Sequence, residues 1–113
     1  MSPITTHVLD TSKGRPAVGV TATLEHQSST DWQQIGKGVT NADGRISDLL
    51  PKDSPLKAGI YRITFETGAY FSANNVSAFY PSVPIIFEIK QAGEHYHVPL
   101  LLNPFGYSTY RGS

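Results

Sequence analysis

The sequence contains no cysteine among its 113 residues, which excludes disulfides, thiolate metal sites and thiol nucleophiles. It also lacks an excess of charge of either sign, because nine Lys and Arg balance nine Asp and Glu. Proteins that bind nucleic acid by neutralising phosphates need a basic surplus, so we expect no nucleic-acid partner. No run of about 18 apolar residues occurs, so we expect no membrane-spanning helix and no membrane partner.

The length and the first residues of the chain bear on domain number and location. A chain of this length is typical of one hydrophobic core, and no linker-like composition divides it, which predicts a single domain over residues 1–113. The opening MSPITTHVLD lacks a basic stretch followed by an apolar one, the pattern of a secretory signal. We therefore expect a cytoplasmic protein; the alternatives are a periplasmic one whose signal peptide was removed, or a peroxisomal one.

Glycine and proline number ten and eight and are spread along the chain, which is typical of short strands joined by tight turns. Three segments alternate apolar and polar residues and predict half-buried strands at residues 18–26, 60–66 and 83–89. Further strand candidates are residues 4–9, 31–37, 95–102 and 107–111. The one helical candidate covers residues 69–76. Seven or eight short strands with little helix predict an all-β sandwich.

Two of the four histidines have unusual positions. Alternation places His7 and His97 on the outward faces of their strands, near Leu9 and Leu101. An outward face that mixes histidine with leucine is less polar than a solvated surface and indicates a contact with another chain. Isolated strand histidines are also commonly structural, and His95 with His97 has a spacing compatible with a metal. No third ligand follows at a recognisable spacing, so we expect no metal site.

Two further segments are candidates for a site. Arg45 follows the turn at residues 41–44, where a side chain can be directed at a cleft, although arginines after turns are often simply solvated. The closing residues 110–113 follow an alternating segment, so a sheet edge is able to hold them in place instead of leaving a frayed end. The sequence contains no nucleophile elbow, phosphate-binding loop or dinucleotide fingerprint.

These segments together resemble one family along nearly the whole chain, from residue 5 to residue 113. The quoted stretches resemble the 5-hydroxyisourate hydrolases, the transthyretin-related proteins of urate breakdown. They are TTHVLDTSKGRPA, TNADGR, FYPSVPIIFEI, HYHVPLLL and YSTYRGS. The YRGS ending and the histidine strand are the most specific of them, since transthyretin, the hormone carrier with the same fold, has neither. The resemblance therefore favours an enzyme over a carrier.

The resemblance implies a transthyretin-like sandwich of two four-stranded sheets with one short helix. It also implies a homotetramer, a dimer of dimers, with its active sites in a channel at the subunit interface. The catalytic residues that it implies are His7, Arg45, His97 and Ser113. The substrate-binding residues that it implies are His7, Arg45, Tyr110, Arg111 and Gly112.

The implied reaction is the hydrolytic opening of 5-hydroxyisourate to 2-oxo-4-hydroxy-4-carboxy-5-ureidoimidazoline, with no metal or organic cofactor. A neutral imidazole, that of His97 or His7, would take a proton from water as attack begins. Arg45 would stabilise the negative oxygen of the intermediate or bind anionic oxygens of the substrate. Ser113 would be catalytic or would orient the water or a histidine. The alternative functions are a small-molecule carrier that uses the same channel without turnover, and a purely structural β-module.

Overall fold

Short strands make up about half of the chain, and strands are its main secondary structure, as the alternating pattern predicts. The computed structural model describes residues 2–51 and 54–112. The strands within these ranges are β1 Ile4–Asp10, β2 Arg15–Pro16, β3 Thr21–Ser28, β4 Asp31–Val39, β5 Arg45–Ile46, β6 Gly59–Phe65, β7 Val83–Ile89, β8 Tyr96–Asn103 and β9 Gly106–Thr109. The helix, α1, spans Thr67–Ala73. Within the same ranges, no helix has the length and apolar composition needed to cross a bilayer.

The strands form two sheets. The first has the order β2-β1-β8-β9 with β5 also paired to β1, and the second has the order β4-β3-β6-β7. Strands β2 and β5 contain two residues each and pair with different parts of β1, at Leu9 and Thr6 respectively. Because β8 pairs with the other edge of β1, β2 and β5 follow one another along a single edge. Each sheet thus has four strand positions, and the expected sandwich of two four-stranded sheets with one short helix is present in the structure.

The core lies between the sheets and takes one face of each. Ile63 and Phe65 of β6 and Leu100 of β8 are fully buried, at two-residue intervals where a strand supplies more than one. This spacing follows from the alternation of side chains across a strand, which sends every second residue to the same face. The residues between them are left on the outer faces of the sandwich, where a site has to be sought.

Strand boundaries differ from the sequence prediction where glycine or a chain reversal intervenes. The strand predicted at residues 18–26 begins only at Thr21, because Gly19 has a φ of 85° and breaks the extended conformation. The predicted start of this strand was therefore wrong, and Val18, its first apolar residue, does not face the core but is 54% exposed. The strand predicted at residues 107–111 ends at Thr109, and Gly112 then returns to the sheet beside His97.

The helix lies two or three residues earlier than the predicted segment 69–76. It ends at Ala73, and Asn75 has a φ of 59°, which does not continue a right-handed helix. Seven residues are too few for an isolated helix to be stable, so tertiary contacts must hold it. Tyr70 supplies one of these contacts, because its hydroxyl donates to Oδ2 of the buried Asp10 at 2.7 Å. The helix is thereby fastened to the end of β1.

Candidate active site

Strand β1 brings the predicted site residues together because it pairs with a strand on each side. Thr5 is opposite His97 of β8, and His7 is opposite Arg45 of β5. Paired residues of neighbouring strands lie on the same face of a sheet, and so do residues two apart on one strand. The four side chains therefore share one face. This is the outer face, since Val8 and Leu100 of the same strands are fully buried on the other side.

A tight turn fixes the position of Arg45. The Asn41 side-chain oxygen accepts hydrogen bonds from the backbone of Asp43 at 2.9 Å and of Arg45 at 3.0 Å. Gly44 has a φ of 75°, and a side chain there would collide with the carbonyl oxygen of Val8, so this position requires glycine. The Val8 backbone N–H donates to the Gly44 oxygen at 2.7 Å and joins the turn to β1. Arg45 is thus presented at a defined place beside His7.

The Arg45 side chain is exposed. Of the carboxylates in the part of the chain that the structure describes, only Glu25 and Glu94 form ion pairs, with Arg62 and Arg111. The guanidinium of Arg45 is therefore not neutralised by any of these described side chains. A guanidinium that is not neutralised can use its planar set of N–H donors to bind an anionic or carbonyl oxygen.

The C-terminal segment crosses the other side of His97. The Gly112 N–H donates to the His97 carbonyl oxygen at 2.8 Å, which ties the tail to β8. A Cβ on residue 112 would lie 2.6 Å from Cδ2 of His97, so only glycine permits this approach. The predicted attachment of the tail to a sheet edge is thus present in the structure. Ser113, a predicted catalytic residue, lies outside the described residues.

The side chain of Arg111 is engaged within the chain. Its guanidinium carbon lies 4.5 Å from the ring centroid of Tyr96, and its Nη2 lies 3.0 Å from Oε1 of Glu94. Both contacts hold the tail against the start of β8, on the side away from Arg45. Tyr110, by contrast, is 58% exposed. Of the predicted substrate-binding residues of the tail, Tyr110 is the one that presents an available side chain.

His97 is partly buried and has hydrogen-bonding partners. Its Nδ1 lies 2.8 Å from Oγ1 of Thr5, which is itself 3.0 Å from Nε2 of His95. Burial lowers the pKa of His97, and the charges of Arg45, His7 and His95 lower it further, whereas a hydrogen bond with the Thr5 backbone opposes the change. The ring is consequently neutral at pH 7, which is the form that accepts a proton.

Two cavities adjoin His97. One, of about 260 Å³, is lined by Arg45, His95 and His97 together with parts of β1 and β5. The other, of about 270 Å³, lies between β7 and the tail and is lined by His97, Tyr110 and Arg111 among others. His97 is the residue that both cavities share. His7 lies outside both linings, although it is beside Arg45 in the sheet.

The metal alternative lacks a third ligand within residues 2–51 and 54–112, where no three His, Cys, Asp or Glu side chains are grouped to hold an ion. The rings of His95 and His97 are 6.5 Å apart between centroids, nearly parallel, and both contact the Thr5 hydroxyl. Sequence reasoning missed this role of Thr5, as it missed the contact of Arg111 with Tyr96. A weak signal was available, since Thr5 shares the face of His7. The parallel pairing of β1 with β8, which makes the contact, has no local sequence signature.

Fold and site together define a transthyretin-like β-sandwich with a histidine and arginine site on one outer face. The family described as HIUase/Transthyretin matches residues 4–112, and the chain belongs to this family. A 5-hydroxyisourate hydrolase of Salmonella typhimurium is 46% identical over 110 residues, which cover 97% of this chain and 80% of that protein. The resemblance inferred from the sequence motifs is thus confirmed.

Two solved structures share this fold, one named as an enzyme and the other as a transthyretin with a bound ligand. Klebsiella pneumoniae 5-hydroxyisourate hydrolase is 42% identical with a TM-score of 0.85, covering 97% of this chain and 98% of that one. Sea bream transthyretin in complex with thyroxine is 34% identical with a TM-score of 0.91, covering 98% of this chain and 95% of that one. Backbone similarity therefore does not separate enzyme from carrier, and the site residues have to do so.

Proposed function

We propose that the chain is a 5-hydroxyisourate hydrolase, which opens the six-membered ring of its substrate to give 2-oxo-4-hydroxy-4-carboxy-5-ureidoimidazoline. Relatives named for this activity match nearly the whole chain at 42 to 48% identity. One structural observation carries the proposal at the level of chemistry. His97, which is neutral, His7 and Arg45 lie on one outer face of the first sheet. His7 is on β1, and His97 and Arg45 are on the strands on its two sides; Arg45 has no carboxylate partner among the described residues.

His97 is the general base in this proposal. Water is a poor nucleophile at pH 7, and a neutral imidazole within hydrogen-bond reach removes its proton as it attacks the ring carbonyl. Burial and the neighbouring positive charge of Arg45 lower the pKa of His97 and keep it neutral until it receives that proton. His7, opposite Arg45, orients the heterocycle by hydrogen bonding. The choice of His97 over His7 rests on the cavity that His97 and Arg45 both line and that His7 does not.

Arg45 supplies the positive charge. Attack on the carbonyl produces a tetrahedral intermediate with negative charge on oxygen, and a fixed guanidinium stabilises this charge more than it stabilises the neutral carbonyl. Collapse of the intermediate breaks the ring C–N bond, and the imidazolium of His97 gives the proton it took from water to the leaving nitrogen. The planar fork of Arg45 also orients the substrate through two parallel hydrogen bonds. Because the turn at Asn41 and Gly44 fixes the backbone of Arg45, part of the cost of ordering the site is met in folding.

The tail closes the other side of the site. Gly112 brings the backbone against His97, and Tyr110 provides an aromatic surface for the heterocycle beside it. Arg111 acts by holding the tail, through Tyr96 and Glu94, in place of contacting substrate directly. We assign Ser113, the residue that follows this attachment, to orienting the attacking water.

The site belongs in a homotetramer built as a dimer of dimers. Within the described strands, β7 and β9 each pair on one edge only, and a second copy is able to continue both sheets along these edges. The site face itself has partly buried leucines, Leu9 and Leu101, beside His7 and His97, which favours a second contact over it. Native mass spectrometry at micromolar concentration tests this assembly; a monomer at all concentrations would contradict it.

The decisive experiment follows the ultraviolet absorbance of freshly prepared 5-hydroxyisourate with and without the protein. We expect decay well above the spontaneous rate for the wild type and near-background decay for a folded variant lacking residues 110–113. A wild type that binds the compound without accelerating its decay would instead be a carrier. A truncated variant with full activity would remove the tail from the site.

A further inference from the structure

The Thr5 hydroxyl lies between two imidazole rings. Its Oγ1 is 2.8 Å from Nδ1 of His97 and 3.0 Å from Nε2 of His95, both within hydrogen-bond range. Thr5 is 7% exposed, so bulk water has little access to compete for these contacts. His95 is exposed and His97 is partly buried. The three side chains therefore form a short chain of hydrogen bonds from the site towards the solvent.

The shared hydroxyl makes the protonation of one ring depend on that of the other. A threonine hydroxyl has one hydrogen to donate, and a neutral imidazole has one nitrogen that donates and one that accepts. If both contacts are hydrogen bonds, Thr5 either accepts from one ring and donates to the other, or accepts from both rings through its two lone pairs. When Thr5 donates to His95, His97 carries its proton on Nδ1; when Thr5 donates to His97, His97 carries its proton on Nε2; when Thr5 accepts from both rings, its own hydrogen takes part in neither contact. Nε2 of His97 is free to act as a base in the first and third arrangements, and of these only the first uses the Thr5 hydrogen to join the two rings.

We propose that Thr5 is a positioning residue that accepts a hydrogen bond from Nδ1–H of His97, donates its own to Nε2 of His95, and so keeps Nε2 of His97 unprotonated and available. The inference deepens the proposed function, because it rests on His97 as the general base. His95 is the acceptor that completes the arrangement. Neither residue contacts the reacting atoms, so their effect is exerted through the His97 ring.

The arrangement fits the course of the reaction. Once Nε2 of His97 takes a proton, both ring nitrogens donate, and Thr5 has to be an acceptor for Nδ1. In the proposed tautomer the hydroxyl already points towards His95, so nothing has to rotate when the imidazolium forms. In the other tautomer the hydroxyl would have to turn away from His97. The hydrogen bond with the Thr5 backbone, which raises the pKa of His97, likewise favours the protonated ring.

Nitrogen-15 NMR of the histidine-labelled protein at pH 7.5 tests the tautomer directly. We expect His97 in the wild type to carry its proton on Nδ1, with the same tautomer in Thr5→Ser, which keeps the hydroxyl. Thr5→Val keeps the shape and removes the hydroxyl, so we expect a mixture or a change to the Nε2-protonated form. A wild-type His97 protonated on Nε2, or a tautomer that Thr5→Val does not change, would overturn the proposal.

Kinetics provide the second readout. The hydrogen bond is strongest in the imidazolium, so Thr5→Val should lower kcat by roughly 10- to 100-fold while KM changes little. Thr5→Ser should stay within about twofold of wild type. His95→Ala should produce a smaller loss than Thr5→Val, because water is able to replace the exposed ring as acceptor. Equal activity of Thr5→Val and wild type would contradict the positioning role.

A matched control comes from the other sheet. Thr23 of β3 is another strand threonine, partly buried where Thr5 is buried, and it is paired with Lys37 and Thr64. Thr23→Val should leave both kcat and the His97 tautomer unchanged. The NMR measurement needs no substrate, so it decides the positioning role even if the wild type fails to accelerate ring opening. That failure would be seen in the absorbance assay and would count against the proposed function alone.

Discussion

The outer faces of the two sheets each carry an arginine, and the two arginines differ in their partners. On the β4-β3-β6-β7 sheet, Arg62 donates to Glu25 at 2.7 Å, and its guanidinium carbon lies 4.3 Å from the centroid of the Trp32 ring. On the β1 face, Arg45 forms no ion pair with a carboxylate of the described residues, and His97 lines a cavity together with Arg45. Polar groups that satisfy each other stabilise a fold, whereas groups that converge with capacity to spare are available to a ligand.

Removing His97 should have the largest effect. Loss of a general base costs about 10² to 10⁴ in rate, so His97→Ala should reduce kcat by that range in the absorbance assay. His26→Ala is the control on the other sheet, where the His26 ring packs on the core residue Tyr61 at 4.7 Å, and it should keep kcat within about twofold. If both substitutions reduce kcat equally, the distinction between the two sheets fails.

Exchanging the two arginines for glutamine should give the next largest difference. Loss of one preorganised donor to a developing oxyanion costs about 10² to 10³ in rate, so Arg45→Gln should lower kcat by that amount. Arg62→Gln should leave kcat unchanged and lower the free energy of unfolding by about 1 kcal/mol, because its ion pair is only partly exposed. Urea denaturation with the same assay separates the two outcomes. An active Arg45→Gln enzyme would refute the assigned role.

The pH dependence sharpens the comparison through His97. Because its pKa is lowered, mainly by burial and then by Arg45, His7 and His95, the decline of kcat/KM on the acid side should have its midpoint below pH 6.5. The same shift means that unfolding takes up protons below pH 6.5, so stability is full above that pH and falls as pH drops towards the folded pKa. Arg45→Gln should raise the pKa of His97, and NMR titration of the His97 ring measures this change. An acid limb above pH 6.5 in the wild type would disagree.

Loosening the tail should have the smallest effect. The Arg111–Glu94 pair is 61% and 44% exposed, so Arg111→Gln should lower the free energy of unfolding by less than about 1 kcal/mol. Since the Gly112 bond to His97 remains, we expect only a few-fold loss of kcat, with Glu94→Gln weaker still because the Tyr96 contact persists. A loss from Arg111→Gln as large as that from Arg45→Gln would mean that Arg111 contacts substrate.

Much of the fold was predictable because its signals are local. Alternation identified the inner faces of β6 and the outward positions of His7 and His97, since side chains of a strand alternate whatever else the chain does. The two-residue strands β2 and β5 were not predicted, because two residues show no period. The predicted strand start at Val18 was wrong for another reason: Gly19 has a left-handed conformation and ends an alternation that looks continuous in the sequence.

The sequence by itself determined the alternating faces, the turn that precedes Arg45, and motifs specific enough to indicate the family. Tertiary structure alone decided that Thr5 meets His97 and that Gly112 lies against the same histidine, about 90 and 15 residues away along the chain. Such contacts depend on which strands pair and in what register, and strand pairing is set by the packing of the whole core. Local pattern therefore fixes which face a side chain takes, and the assembled sheet fixes its neighbours.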